Sequence, residues 1–212
     1  MVLSAPRIGV FGGAFDPPHN AHVTLAACAL AQLGLTQLRI FPTGQPWHKG
    51  GTPSAADDRL AMARLAFAGM AGAVVDAREM VRAGPTYTLE TLLELQAESP
   101  RAELVLVLGA DQALALPGWH RWLDILALAV VAVAQRAGST QAFDLARLPG
   151  LPQGMRTRFV SITLPPMDIS ATEIRRRAAA AGQDLRAWVP PAVARYIEQH
   201  RLYQPQSSTQ HS

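Results

Sequence analysis

The chain has 212 residues, of which 49% are hydrophobic and 17% are charged. This length and composition suit one compact domain with a buried core and exclude a chain that is disordered over most of its length. The formal net charge is only +3, a smaller basic excess than a protein that coats a polyanion usually carries. Cys28 is the single cysteine, which excludes an internal disulfide, and its apolar neighbours predict a buried structural thiol.

No segment of the sequence is suited to cross a membrane. The longest uninterrupted apolar run is Ile125 to Ala134, well short of the ~20 residues that a spanning helix needs. The first residues lack the basic and apolar regions of an export signal, and no basic stripe with interleaved aromatic residues suggests a nucleic-acid partner. We expect a soluble cytoplasmic protein, a monomer or homodimer, that binds neither membranes nor nucleic acids.

Short apolar runs alternate with longer segments of helical period. Strands are predicted at residues 7–11, 38–42, 73–77, 104–108, 130–134 and 158–163, and helices at 21–33, 57–70, 88–97, 171–181 and 192–200. This alternation predicts an α/β fold, a Rossmann-like doubly wound parallel sheet in which ligands bind beyond the carboxyl ends of the strands. We assign residues 1–165 to this nucleotide-binding core and 166–203 to a small helical C-terminal part packed on it. Residues 137–155 are predicted to be a surface loop, and 204–212 a disordered tail.

The loop after the first predicted strand, Gly12 to His22, favours phosphate binding. Its glycines allow a ligand close to the backbone, and Pro17-Pro18 stiffens the turn. His19 and His22 stand three apart at a helix start, where side chains lean towards free N–H groups that attract anions. The simpler alternative is that His19 caps the helix and His22 packs in the core. Zinc is disfavoured because no third ligand stands nearby at the usual spacing.

Residues Gly13 to His22 resemble a known signature. Gly13-Ala14-Phe15-Asp16-Pro17-Pro18-His19-Asn20-Ala21-His22 is similar to the G-x-F-D-P-x-H-x-G-H motif of the nucleotidyltransferase superfamily, most closely that of bacterial nicotinate-nucleotide adenylyltransferases. Two positions depart from it. Ala14 replaces the usual Thr or Ser and removes a hydroxyl, and Ala21 replaces a glycine between the two histidines.

A second motif lies near the carboxyl end, at Asp168 to Arg177. Ser170 and Glu173 form a capping-box pattern that starts a helix without any ligand, so a purely structural role remains open. The segment also resembles the I-S-x-T-x-I-R motif of the same family. The matching residues are Ile169, Ser170, Thr172, Ile174 and Arg175. The resemblance implies that the hydroxyl groups and the helix start hold the ATP phosphates, and that Arg175 neutralises them.

The same resemblance assigns residues to a second substrate, nicotinate mononucleotide. Thr86, Tyr87 and Thr88 would recognise the nicotinate carboxylate, and Trp119 would stack on the ring. Each has an ordinary alternative: a threonine helix cap for the first segment, and a core position for the tryptophan. Asp111, after the fourth predicted strand, would bind sugar hydroxyls or simply cap the next helix.

The implied reaction is transfer of AMP from ATP to nicotinate mononucleotide, giving deamido-NAD and pyrophosphate, with Mg²⁺ held through the ATP phosphates rather than by protein ligands. The alternatives are a related enzyme with nicotinamide mononucleotide or phosphopantetheine as acceptor, and a non-catalytic nucleotide sensor. His19, His22 and Arg175 are the expected catalytic residues. The expected ATP-binding residues are Gly12, Gly13, Phe15, His19, His22, Lys49, Gly109, Asp111, Ile169, Ser170, Thr172 and Arg175, and those for the mononucleotide are Ala14, Phe15, Thr86, Tyr87, Thr88 and Trp119.

Overall fold

The structure is a computed structural model that describes residues 5–44, 54–136, 143–180 and 183–204. Six parallel strands form one sheet in the order β3-β2-β1-β4-β5-β6. They are β1 (Arg7–Gly13), β2 (Gln37–Pro42), β3 (Ala73–Val75), β4 (Glu103–Gly109), β5 (Ala129–Arg136) and β6 (Phe159–Leu164). Among the residues described, no helix is both long and apolar enough to cross a membrane.

Eight α-helices connect or follow these strands in the described ranges. They are α1 (Asn20–Leu33), α2 (Ala56–Phe67), α3 (Arg78–Val81), α4 (Thr88–Glu98), α5 (Ala110–Ala115), α6 (Trp122–Leu128), α7 (Ala171–Ala179) and α8 (Pro191–Gln199). The predicted doubly wound parallel sheet is confirmed. Since the chain winds outward from β1 in one direction and from β4 in the other, a crevice opens beyond the carboxyl ends of these two neighbouring strands.

Alternate side chains of the central strands supply two separate cores. On β4, Leu104, Leu106 and Leu108 belong to one buried cluster, whereas Val105 and Val107 belong to another. This division follows from the two-residue period of a strand, which directs successive side chains to opposite faces of the sheet. The first cluster packs under α4, α5 and α6, and the second under α1 and α2. Because both faces are covered, the middle of β4 is apolar at every position from Leu104 to Leu108.

The C-terminal helices pack against α2 rather than against the sheet. Met62 of α2 is buried in one apolar cluster with Ile174 of α7 and with Val193 and Ile197 of α8. The backbone N–H of Asn20 also donates a hydrogen bond to the Trp188 carbonyl at 2.8 Å. This packing fixes α7 beside the start of α1. The division into a core at 1–165 and a helical part at 166–203 stays a prediction.

Three local predictions differ from the structure. Cys28 is a free, half-buried thiol rather than a fully buried one. The predicted surface loop contains short 3-10 helices at Leu145–Arg147 and Gln153–Arg158. Its Leu148 is only 4% exposed, because the apolar residues of this segment cover the edge of the sheet core. The predicted helix 171–181 ends at Ala179 in the structure. Residues 181–182 and the predicted tail beyond residue 204 lie outside the described residues.

Candidate active site

The two histidines of the first motif meet at the start of α1. His19 stands at the N-cap position and His22 in the first turn. Their rings stack with centroids 3.7 Å apart and planes 16° from parallel, and the His19 backbone N–H donates to His22 Nδ1 at 3.2 Å. His22 packs against Phe15 but is only half-buried and lines a cavity, so it is not fully enclosed in the core as the simpler alternative expected. His19 Nδ1 is buried and has no hydrogen-bond partner within the described residues.

Burial makes both imidazoles poor proton acceptors in the free protein. It lowers the pKa of His19 from 6.5 to about 4. The pKa of His22 is also lowered well below its usual value, first by burial and then by the neighbouring His19. With both pKa values lowered, the two rings are neutral at pH 7. A bound phosphate would favour the charged form of both rings, since an adjacent negative charge raises an imidazole pKa.

Phe15 packs against the histidine pair. Its side chain is 1% exposed and contacts the rings of Phe11, Phe67 and His22 edge-to-face, with the His22 centroid at 5.1 Å. The buried ring cannot touch a ligand, so a role for Phe15 in binding either substrate would have to come from its backbone. The prediction that Phe15 binds both substrates can therefore apply only to its backbone atoms.

The second motif is connected to the first through Arg175. From α7, its Nη1 donates to the Asp16 backbone carbonyl at 2.8 Å, and its Nη2 donates to Thr172 Oγ1 at 3.3 Å. Asp16 lies in the same loop as Phe15 and His19. Two motifs about 150 residues apart in sequence thus contact each other, as a shared ligand would require.

The capping-box pattern at α7 is only half formed. Ser170 Oγ accepts a hydrogen bond from the Glu173 backbone N–H at 3.3 Å, which confirms the predicted helix cap. The Glu173 carboxylate does not return the bond but pairs with Arg176 and Arg177, at 2.7 Å from each. These two arginines are thereby neutralised, whereas Arg175 contacts neutral oxygen acceptors. Of the three consecutive arginines, Arg175 is the one held toward the loop after β1.

One cavity of about 920 Å³ opens beyond β1 and β4. It lies where the strand order reverses, the usual place for ligands in this kind of sheet. It brings together most residues that were predicted for the two substrates. Those that line it are Gly12, Gly13, Ala14, His22, Thr86, Tyr87, Thr88, Gly109 and Trp119.

Other predicted residues lie elsewhere. Asp111 is exposed in the first turn of α5, whose N-cap is Gly109, so the alternative in which Asp111 caps this helix is wrong. His19 is buried beside His22 at the N-terminus of α1. Ile169, Ser170 and Thr172 lie at the start of α7 and do not line the cavity. Lys49 lies outside the described residues.

The far end of the cavity is built from α3, the start of α4 and the turn after α5. Tyr87 stacks on His120 with ring centroids 4.4 Å apart, and Trp119 packs partly on the apolar core. The buried Glu79 also lines this end, where it accepts a hydrogen bond from Thr91 Oγ1 at 2.8 Å. Burial raises the pKa of Glu79, against smaller lowering effects from Thr91 and an arginine nearby.

Sequence reasoning missed Arg59, His120 and Glu79. His120 directly follows Trp119, so its neighbour in the motif could have drawn attention to it. Glu79 and Arg59 lie in segments with no recognised signature. Arg59 reads as a polar position on an amphipathic helix, yet the residue is only 1% exposed. No local pattern predicts that a charged side chain turns inward to contact loops from other parts of the chain.

Comparisons with known proteins show the family to which the chain belongs. The cytidylyltransferase-like family model matches residues 10–177, so the chain belongs to this family of nucleotidyltransferases. A relative from Albidiferax ferrireducens, named as a probable nicotinate-nucleotide adenylyltransferase, is 52% identical and aligns over 93% of this chain and 98% of its own. One from Laribacter hongkongensis with the same name is 42% identical, over 97% and 98% respectively. The chain is therefore a member of the nicotinate-nucleotide adenylyltransferase family.

Solved structures support the fold. The Plasmodium falciparum nicotinic acid mononucleotide adenylyltransferase complexed with APC has a TM-score of 0.69 to this chain at 16% identity, covering 93% of this chain and 97% of that one. The same enzyme complexed with NaAD gives a TM-score of 0.68 at 17% identity, with the same coverage of each chain. At this level of identity the likeness concerns the arrangement of strands and helices.

Proposed function

We propose that this protein transfers the AMP group of ATP to nicotinate mononucleotide, giving deamido-NAD and pyrophosphate. The observation that carries the proposal is the direct contact between two distant motifs, one of which lines the cavity through His22. Arg175 of α7 donates to the Asp16 carbonyl of the loop that presents His19 and His22, and His22 lines the same cavity as Thr86 and Trp119. Relatives that align over nearly the whole chain carry the corresponding name.

The chemistry suits a site without a general base. In the proposed reaction the mononucleotide phosphate attacks the α-phosphorus of ATP, an oxygen–phosphorus bond forms, and pyrophosphate leaves with the electrons of the bond that breaks. A phosphate monoester is largely ionised at pH 7, since its second pKa is about 6, so its oxygen needs no deprotonation. Catalysis then consists of aligning the two substrates and stabilising negative charge.

The residues of the site have separate roles in this proposal. His19 and His22 would contact the bridging and α-phosphate oxygens, where their protonation would follow the arrival of the phosphates. Arg175 and the hydroxyls of Ser170 and Thr172 would contact the β- and γ-phosphates at the start of α7, where helix N–H groups also favour anions. Lys49 remains proposed for the same phosphates.

At the other end of the cavity, Thr86, Tyr87 and Thr88 begin α4, so their N–H groups and hydroxyls would receive the nicotinate carboxylate. Trp119 would stack on the nicotinate ring. The stacked rings of Tyr87 and His120 both line this end of the cavity. In this arrangement the two substrates enter one cavity from opposite sides and meet near His22.

Mg²⁺ is proposed as the metal that accompanies ATP. The described ranges contain no group of three or more His, Cys, Asp or Glu side chains placed to hold a metal ion. In this proposal the phosphate oxygens of ATP carry the metal, and we assign it no protein ligand. When bound, such an ion would neutralise part of the triphosphate charge.

A panel of substrates with a pyrophosphate readout tests the proposal. ATP and CTP are each combined with nicotinate mononucleotide, nicotinamide mononucleotide and phosphopantetheine, and the nucleotide product is identified by mass. We expect the highest kcat/KM for ATP with nicotinate mononucleotide. A preference for another acceptor would make the protein a sister enzyme, and ATP binding without turnover on any acceptor would make it a nucleotide sensor.

A further inference from the structure

The most deeply buried charged side chain near the cavity is Arg59 of α2. It is 1% exposed, and four of its N–H groups donate to backbone carbonyls. Nη1 donates to Ala14 at 3.0 Å and to Thr43 at 2.7 Å. Nη2 donates to Gly44 at 3.0 Å, and Nε donates to Ser54 at 3.3 Å.

These carbonyls belong to three different parts of the chain. Ala14 follows β1, Thr43 and Gly44 follow β2, and Ser54 precedes α2. Ala14 and Thr43 line the cavity. A planar guanidinium with five donors in a fixed fork can hold several acceptors in one arrangement, and here it joins the loops beyond two neighbouring strands.

The carboxylate of Asp16 also links the loop after β1 to other parts of the chain. One oxygen of its carboxylate accepts from the Ser54 backbone N–H at 3.1 Å, and the other accepts from Tyr203 Oη at 2.7 Å. Burial lowers the pKa of Arg59, whereas the nearby Asp16 carboxylate raises it. An arginine stays protonated even when its pKa is lowered, so Arg59 is a buried cation that makes hydrogen bonds to neutral carbonyls.

We infer that Arg59 is a positioning residue that fixes the loop after β1 relative to the loop after β2, and thereby aligns the two substrates for transfer. This inference rests on the proposed function, because the β1 loop is assigned to both substrates. Each substrate keeps its own contacts when Arg59 is changed. The relative placement of the reacting phosphates is lost, and a misplacement of about 1 Å costs on the order of 10²-fold in rate.

The test compares Arg59→Lys and Arg59→Gln with the wild type. Lysine keeps the charge but lacks the fork, and glutamine keeps some hydrogen bonds but lacks the charge. We expect kcat to fall about 10- to 100-fold in both variants, while the dissociation constants of ATP and of the acceptor, measured separately by calorimetry, change by less than about threefold with a stoichiometry near one. The calorimetric stoichiometry counts folded, binding-competent protein, so a loss of folding cannot be mistaken for a loss of alignment.

Two control variants come from the same helix. Arg64→Lys changes an exposed arginine of α2 and should leave kcat unchanged. Arg64→Gly places a glycine inside α2 at an exposed position, which weakens a helix, and it reports the effect of destabilising this helix alone. A kcat for Arg59→Lys within twofold of wild type would overturn the inference. So would an equal fall of kcat in Arg64→Gly, or a loss of activity that follows the loss of binding stoichiometry.

The test remains separate from the proposed function. If the wild type uses an acceptor other than nicotinate mononucleotide, the proposed substrate is wrong, and the Arg59 variants are assayed with the acceptor that is used. If the wild type binds ATP but transfers nothing, both proposals fail together at the first measurement, before any variant is made.

Discussion

Acidification should destabilise the folded protein through His19. The pKa of His19 falls from 6.5 to about 4 on folding because the ring is buried. Between these two values the unfolded chain binds a proton that the folded protein does not, so the free energy of unfolding decreases as the pH decreases. Above pH 6.5 the imidazole is neutral in both states and contributes no pH dependence.

The size of the effect follows from the two pKa values. This lowering of the His19 pKa reduces the free energy of unfolding by about 3 kcal/mol once the pH has fallen below both pKa values. Between pH 7 and pH 4.5 the expected loss is about 2 kcal/mol, which is a large part of the stability of a typical domain. Replacing His19 by glutamine removes the titrating group, so the variant should lose about 2 kcal/mol less than the wild type over the same range.

Urea unfolding at pH 7 and pH 4.5 measures this difference for the wild type and His19→Gln. Carboxylates elsewhere titrate in both proteins and cancel in the comparison. His22 does not cancel, because His19 lowers its pKa, but the loss of this effect also makes the variant less sensitive to acid. His200→Gln serves as the control, since it removes an exposed histidine that stacks on Tyr196 far from the cavity. Equal pH dependence in the wild type and His19→Gln would refute the conclusion that burial holds His19 in its neutral form.

Three further predictions concern the cavity. His22→Ala should lower kcat by about 10²-fold while the fold is kept, as when one charge-stabilising donor is lost; near-normal turnover would refute its role. Trp119→Ala should raise KM for the mononucleotide more than for ATP, and equal effects would argue against stacking. Gly44→Ala should destabilise the protein by about 1–3 kcal/mol in urea unfolding, because a Cβ at Gly44 would overlap the Glu79 carbonyl. In the control Gly69→Ala, the added Cβ has no atom within 4 Å, so this variant should change the free energy of unfolding by less than about 0.5 kcal/mol.

The sheet and its connections were predictable because their signals are local. The apolar run Leu104 to Leu108 predicts a buried parallel strand, and β4 contains it within Glu103–Gly109. The spacing of apolar residues in Ala21 to Leu33 predicts α1, and Gly34 ends it in the left-handed conformation, φ 60°. Short helices carry weaker signals. The four-residue α3, Arg78–Val81, is too short for a helical period, and ion pairs of Arg78 with Asp76 and Glu98 hold it in place.

The candidate site was predictable only where a motif covers it. The motif residues His22, Thr86 and Trp119 share one cavity as expected. Arg59 could not be found in this way, because its hydrogen bonds join chain segments up to 45 residues apart and depend on tertiary packing. The charge state of the histidines was also beyond the sequence, since it follows from burial at the start of α1.

The central claim is that the loop after β1 and the start of α7 bind one triphosphate together. A crystal structure of the protein with a non-hydrolysable ATP analogue tests this claim most directly. We predict hydrogen-bond distances from a His22 ring nitrogen and from the Arg175 guanidinium to oxygens of the same triphosphate. A triphosphate that contacts Arg175 but lies beyond reach of both imidazoles would contradict the account.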